Sequence, residues 1–231
     1  MNKLIEASEV RNLVKNGDTL LVGGFGLSGS PLTLIYDLLN SDVEDLTIVS
    51  NNLGEDGQGL HKLFEAGKLK KIIGSFFTTN KPVVHAWQQG EIEIKLVPQG
   101  TLAEAIRAGG AGIGGFYTKT AVGTELAFGK EERLIDGERY IFEQAIKGDV
   151  SFVRAAKADK LGNLVYHTTA RNFNPMVATA GKIVIAEVDE IVEVGELDAE
   201  HIVTPHAYVD YIVKSNFIKK GGEYVGTKYT I

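Results

Sequence analysis

Three glycines supply the first pattern in this chain that could do chemistry. Gly24, Gly26 and Gly29 stand at G-x-G-x-x-G spacing in LLVGGFGLSGSPLTLI, residues 20–35, after an apolar run and before a helical pattern. That spacing serves a dinucleotide when an acid about 20 residues on holds the ribose hydroxyls. Here the next strand pattern ends in Ser50, Asn51 and Asn52, while Asp42, Glu44 and Asp45 precede it, at the wrong end. A phosphate-binding G-x-x-x-x-G-K-S/T loop is also missing. The pairs Gly67-Lys68, Gly129-Lys130 and Gly181-Lys182 lack both the earlier glycine and the hydroxyl. Around Ser28 the chain reads Gly26-Leu27-Ser28-Gly29-Ser30, which is no nucleophile elbow. Two general readings remain. In one, the glycines bring backbone close to a ligand, and the following helix N-terminus offers it free N–H groups. In the other, equally open, they make a tight strand-to-helix turn.

The other reactive side chains narrow the field. There is no cysteine, which excludes disulfides, thiolate metal sites and a cysteine nucleophile. The five histidines, at 61, 85, 167, 201 and 206, form no i,i+4 ligand pair, so no metal site is expected.

The elements that must position the glycines alternate in the first half. Leu4, Ile5, Val10, Leu13 and Val14 mark a helix closed by Gly17. Strands are expected at Thr19–Val22, Leu46–Val49, from Lys71 to Gly74, and at Ile92–Val97. Helices are expected at Pro31–Leu39, Gly59–Ala66, Lys81–Gln89 and Leu102–Ala108. The strand runs are mostly apolar rather than alternating, which agrees with burial on two faces. The fold class is therefore α/β, a mainly parallel sheet with helices on both faces. The second half is less regular and mixed. Gly109–Gly115 reads as a mobile or tightly turned loop, and Leu134–Ile141 as a hairpin on Asp136-Gly137. Val150–Ala155 and Ile183–Val188 read as strands, with a turn at Leu161-Gly162-Asn163. With no repeat, low-complexity segment or clear linker, one domain spanning 1–231 is expected.

Composition bounds the partners. Twenty-four Lys and Arg against 30 Asp and Glu give a net charge of −6 with no basic stripe, which argues against nucleic acid. No apolar run approaches the roughly 20 residues of a membrane span. The acid-containing, amphipathic N-terminus is not a signal peptide. A cytoplasmic location is expected.

From the glycine loop onward the chain resembles the family I coenzyme A transferases. The likeness begins in VGGFGLSGSPLTLI and continues through TIVSNN (47–52), PQGTLAEAIRAGGAGIGGFYT (98–118) and VGTELAFGKE (122–131). It goes on through LGNLVY (161–166), TARNFNP (169–175) and IAEVDEIVEVGELD (185–198). These ordered matches cover nearly the whole chain. They are similar to the alpha chain of 3-oxoacid CoA-transferases, of the succinyl-CoA:3-ketoacid or acetate–acetoacetate type.

The resemblance implies a CoA-transferase/isomerase-like fold and ping-pong chemistry. A glutamate carboxylate attacks an acyl-CoA thioester, and an enzyme-bound glutamyl-CoA thioester carries CoA to a short acid such as acetoacetate. In two-subunit members that glutamate lies in a Glu-Asn-Gly motif of the beta subunit, and this chain contains no Glu-Asn-Gly. The resemblance thus implies an enzyme that is catalytically incomplete without its beta subunit, the two forming an αβ or α2β2 assembly. It implies no cofactor, since the coenzyme A thioester is the substrate. Carried over residue by residue, Gly24, Phe25, Gly26, Leu27, Ser28, Gly29 and Ser30 would form the coenzyme A loop. Asn51, Asn52 and Gln99 would lie near the acyl group, where an amide can donate to a carbonyl oxygen without adding a competing charge. Asn51-Asn52 also has a plain reading as a polar strand-end turn.

The chain departs from the family pattern at Ser28, Ser30, Gly57, Lys119 and His167-Thr168, which leaves the acyl preference open. The alternatives are a sugar-phosphate isomerase of similar fold and a non-enzymatic sugar-phosphate-sensing module. The first needs an acid–base pair that the sequence does not single out. The second normally sits beside a DNA-binding segment, and none is visible. Elsewhere, Trp87 reads as packing, the histidines as surface or hydrogen-bonded, and Lys130–Arg133 as solvated. Arg171–Pro175 reads either as a buried turn or as a contact with a partner subunit.

Overall fold

The computed structural model describes residues 3–220 and 223–226. Its frame is a sheet of seven parallel strands, in the order β11-β10-β8-β1-β2-β3-β4. These are β1 (Thr19–Val22), β2 (Leu46–Val49), β3 (Leu69–Gly74), β4 (Glu93–Leu96), β8 (Gly148–Asp159), β10 (Gly181–Val192) and β11 (Tyr211–Lys214). The short β9 (Leu164–Val165) adds to β8 in antiparallel fashion. Alternation along the strands sends side chains to two separate cores. Leu20, Val22, Ile48, Ile72 and Phe152 pack on one face beneath α1 (Ala7–Val10), α2 (Leu32–Leu38), α3 (His61–Glu65) and α4 (Lys81–Gln88). Leu21, Val49, Val153, Val184 and Ala186 pack on the other beneath α5 (Gln99–Gly110) and α6 (Asn174–Ala180). Leu20, Leu21 and Phe152 are fully buried, and each such side chain contributes about 1.5–3 kcal/mol.

The expected parallel sheet with helices on both faces is the observed architecture. The second half is more regular than its sequence suggested. The runs Val150–Ala155 and Ile183–Val188 are the centres of β8 and β10, two 12-residue strands that join the same sheet on the far side of β1. The irregular part is an antiparallel sheet of β5 (Gly115–Thr118), β7 (Glu138–Gln144) and β6 (Glu132–Ile135). Its β6–β7 turn has Asp136 and Gly137 at φ +52° and +80°, the backbone an Asp-Gly hairpin demands. At the end of the described chain, β12 (Phe217–Lys220) and β13 (Glu223–Gly226) form an antiparallel pair.

Three local expectations change. The first helix is only Ala7–Val10, because Leu4 bridges to Ile212 and the Ile5 N–H donates to its carbonyl, extending the edge of β11. Gly109 and Gly110 are not loop but the last turn of α5. A Cβ there would lie 2.0 Å from the Ile146 carbonyl oxygen and 2.1 Å from Thr179 Oγ1, so small size lets α5 pack this closely. Trp87 is half-exposed on α4 rather than packed. Lys130 pairs with Glu143, while Glu131, Glu132 and Arg133 stay at the surface. No helix among the described residues is long and apolar enough to cross a membrane.

Candidate active site

The strand order turns back at β1, whose neighbours are β2 on one side and β8 on the other. In open α/β sheets the carboxyl ends beside such a point form the ligand crevice. The glycine loop leaves β1 there. Its centre is a tight reversal in which the Phe25 N–H donates to the Ser28 carbonyl and the Ser28 N–H to the Phe25 carbonyl, 3.0 Å each. Gly26 turns the corner at φ +58°.

On the β8 side residues 168–174 fill most of the crevice and leave a pocket of about 190 Å³ between Ser28, Arg154 and Tyr166. Asn172 Oδ1 accepts from the Gly24 N–H at 3.1 Å, and its Nδ2 donates to the Ser28 carbonyl at 3.0 Å. Asn174, fully buried, accepts from the Arg154 N–H on β8 and donates to the carbonyls of Gly29 and Ala170. Arg171–Pro175 is therefore a turn that clasps the glycine loop, in keeping with the first of its two readings.

The helix N-terminus after the loop is also occupied. Glu187 of β10, fully buried, accepts from the Thr33 N–H at 2.8 Å, the Leu34 N–H at 3.4 Å, and the hydroxyls of Thr33 and Ser215. Burial pushes its carboxyl up, while Arg154 at 3.2 Å and these donors hold it down. Arg154 also pairs with Asp189 at 2.6 Å. The start of α2 thus carries an internal carboxylate, and the free N–H groups expected there are not available to a ligand.

What stays open is a cleft of about 630 Å³ at the carboxyl ends of β1, β2 and β3. It is lined by Phe25 and Gly26 of the glycine loop, by Asn51, Asn52, Gly54 and Glu55 after β2, by Ser75, Phe76 and Thr79 after β3, and by Gln99. Five residues expected near substrate, Phe25, Gly26, Asn51, Asn52 and Gln99, gather here. Gly24, Leu27, Ser28, Gly29 and Ser30 do not line it. Ser28 lines a smaller pocket with Arg154 and Tyr166, and Ser30 is buried.

The three amides differ in what they can do. Asn52 Oδ1 accepts from the Gly26 N–H at 3.1 Å, and its Nδ2 donates to the Gly54 carbonyl at 3.0 Å. Both ends of Asn52 tie the glycine loop to the loop after β2. Gln99 Nε2 donates to Asn51 Oδ1 at 2.6 Å, and the Ser75 hydroxyl donates to the same oxygen at 2.8 Å. Asn51 is held by two donors on its oxygen, so its Nδ2 is aimed elsewhere and has no partner among the described residues. It is the amide best placed to donate into the cleft. Gln99 orients it.

Sequence reasoning missed Glu55, Ser75, Phe76 and Thr79. The signal for them was present, since each follows the carboxyl end of a parallel strand. The clasp by Asn172 and Asn174 had no such signal, since it joins residues about 150 apart. His61 is buried in the helix after the Glu55 loop and accepts the Gly57 N–H at 2.6 Å, whereas the other four histidines are exposed.

Known proteins are similar to this chain in sequence and in fold. The coenzyme A transferase family model matches residues 5–215. The A chain of a probable succinyl-CoA:3-ketoacid coenzyme A transferase from Bacillus subtilis is 53% identical over 214 residues, covering 92% of this chain and 90% of that one. The corresponding chain of the succinyl-CoA:3-ketoacid coenzyme A transferase from Helicobacter pylori strain 26695 is 49% identical over 231 residues, the full length of both. The crystal structure of an acyl-CoA transferase from Escherichia coli O157:H7, a thioester complex with CoA, superposes with a TM-score of 0.84 at 22% identity. The match takes in all of this chain and 51% of that one, so this chain spans about half its length. With a family match over most of its length and full-length relatives near half identity, the chain belongs to the coenzyme A transferase family.

Proposed function

We propose that this chain is the alpha subunit of a two-subunit 3-oxoacid CoA-transferase, which moves CoA between succinyl- or acetyl-CoA and a short 3-oxoacid such as acetoacetate. The thioester carbonyl is attacked by a glutamate carboxylate that the beta subunit provides. The CoA thiolate leaves, and an acyl–glutamyl anhydride forms. The thiolate then attacks the glutamyl carbonyl, giving the glutamyl-CoA thioester and releasing the first acid. The incoming acid reverses these steps through a second anhydride, so atoms and charge balance at each stage.

In this reading the present chain supplies the cradle. The Phe25–Gly26 corner borders the thioester, and Asn51 Nδ2 donates to the oxygen that gains charge on attack. One well-aimed donor of this kind contributes about 3 kcal/mol to the transition state. The observation that carries the reading is the single cleft in which the Gly26 corner, pinned by Asn52, faces the Asn51 amide held by Gln99 and Ser75. The remaining residues of the coenzyme A loop, Gly24 and Leu27–Ser30, set the shape of the corner.

We read the chain as one domain, 1–231, because β1–β4 and β8–β11 share a sheet. A cytoplasmic location accords with the cysteine-free composition.

The test is reconstitution with a beta subunit, followed by measurement of CoA exchange between acyl-CoA and acetoacetate and hydroxylamine trapping of the thioester. Exchange should require both chains, and trapping should label the beta subunit. Exchange by this chain alone, with the beta subunit inert to hydroxylamine, would overturn the division of roles.

A further inference from the structure

Glu55 is the one charged side chain among the ten described residues that line the cleft. The other polar groups there are neutral amides and hydroxyls. Its carboxylate leans on the glycine corner: Oε1 lies 3.5 Å from the position a Cβ would take on Gly26. No hydrogen bond or ion pair of this carboxylate is found among the described residues. The turn that carries it is built. The Gln58 N–H donates to the Glu55 carbonyl at 2.9 Å, the Asn52 amide holds the Gly54 carbonyl, and a Cβ on Gly54 would lie 2.4 Å from the Gln58 carbonyl oxygen. An exposed carboxylate on a built turn, without an ion-pair partner among the described residues, therefore faces the space in which an acyl group would lie.

The acids such a site exchanges are themselves anions. In all of them the reacting carboxylate is neutralised as its thioester or anhydride forms. A second carboxylate at the far end of the chain is not. In a cleft of about 630 Å³ an acyl tail lies within roughly one Debye length of Glu55, about 8 Å at physiological salt, so solvent ions screen the repulsion poorly.

We propose that Glu55 sets the charge class of the acyl group, favouring chains whose sole carboxylate is the reacting one and disfavouring those that end in a second carboxylate. Acetyl and acetoacetyl belong to the favoured class and succinyl to the disfavoured one. The proposal rests on the transferase reading above and names the substrate class of the same cleft.

The test uses the reconstituted two-subunit enzyme with acetoacetate as acceptor and four donors: acetyl-CoA, butyryl-CoA, succinyl-CoA and glutaryl-CoA. The readout is the ratio of kcat/KM between dicarboxylyl and monocarboxylyl donors, which cancels effects on the shared CoA moiety. Glu55→Gln should raise the succinyl-to-acetyl ratio about tenfold, which corresponds to about 1.4 kcal/mol. Glu55→Asp, which keeps the charge, should hold the ratio near that of the natural chain. Salt raised to about 1 M, where the Debye length falls to about 3 Å, should raise the ratio in the natural enzyme and leave it level in Glu55→Gln. A ratio indifferent to Glu55→Gln, in an enzyme that does transfer CoA, would overturn the proposal; a beta-subunit cation neutralising Glu55 would give that result. No exchange by the natural enzyme with any donor would overturn the transferase reading instead, and the proposal with it.

Discussion

Gly26 and Gly29 stand three residues apart in one motif, at φ +58° and +67°, and they face opposite surroundings. A Cβ on Gly26 would enter the open cleft and meet Glu55 Oε1 at an ordinary 3.5 Å. A Cβ on Gly29 would lie 2.3 Å from the Ala170 carbonyl oxygen, in the packed seam with residues 168–174. The two readings of a glycine loop, ligand approach and tight turn, thus fall on different residues of the same loop. The β2 side of β1 is open and lined by polar side chains together with Phe25 and Phe76, and the β8 side is mostly closed by asparagines that bond to the loop backbone. A glycine motif read by spacing alone merges these two demands.

The comparison is broken most forcefully at the packed side. Gly29→Ala adds left-handed strain and a contact with backbone that cannot give way, and should destabilise the chain by about 3 kcal/mol. Urea denaturation should show the midpoint falling with little change in slope. A variant as stable as the natural chain would mean that the 168–174 clasp is not tight.

At the open side the effect should appear in activity instead. Gly26→Val costs about 1–2 kcal/mol of backbone strain and should leave the fold in place. The branched side chain would enter the cleft beside Glu55, in the space that Asn51 also lines, so transfer in the reconstituted enzyme should drop about 100-fold, near 2.7 kcal/mol in the barrier. Unchanged turnover would remove Gly26 from the site.

The smallest effect is expected one step back from the cleft. Gln99→Ala leaves Asn51 Oδ1 with Ser75 as its remaining side-chain donor, so the Asn51 amide should wander. Transfer should slow about tenfold through kcat, with the KM for acyl-CoA little moved. Glu or Met at 99 should not restore it, because neither presents the amide N–H. A change confined to KM would mean that Gln99 binds substrate rather than aligning Asn51.

Much of the frame was legible. Short apolar runs marked β1, β2 and most of β3, because strands buried on two faces admit few polar residues, while β4 was marked although Glu93 and Lys95 interrupt its run and it lies exposed at the sheet edge. Helices α2, α3, α4 and most of α5 were legible from their helical patterns, whereas α1 is shorter than its pattern and α6 was not marked. The long strands β8 and β10 were seen only at their centres. Polar residues along them, such as Arg154, Lys157 and Glu187, break the apolar pattern, and the ion pairs that let them lie in a sheet join residues about 33 apart. Among site residues, Phe25, Gly26, Asn51, Asn52 and Gln99 were marked by the family resemblance and lie around one cleft. Their individual parts were not legible. A carboxamide has the same formula whether both its ends tie loops together, as in Asn52, or one end has no partner among the described residues, as in Asn51.

By itself the sequence determined the parallel α/β frame, the family, and the loops at the carboxyl ends of the strands. Those follow from local patterns of apolar residues, glycines and strand-end polar residues, which act over a few positions. Tertiary structure alone decided which side of β1 stays open, that Glu187 rather than a ligand occupies the start of α2, and that Glu55 faces the cleft without a counter-charge among the described residues. Each of these depends on groups far apart in the chain being brought together or kept apart. Such meetings are settled by the packing of whole elements, which no local spacing encodes.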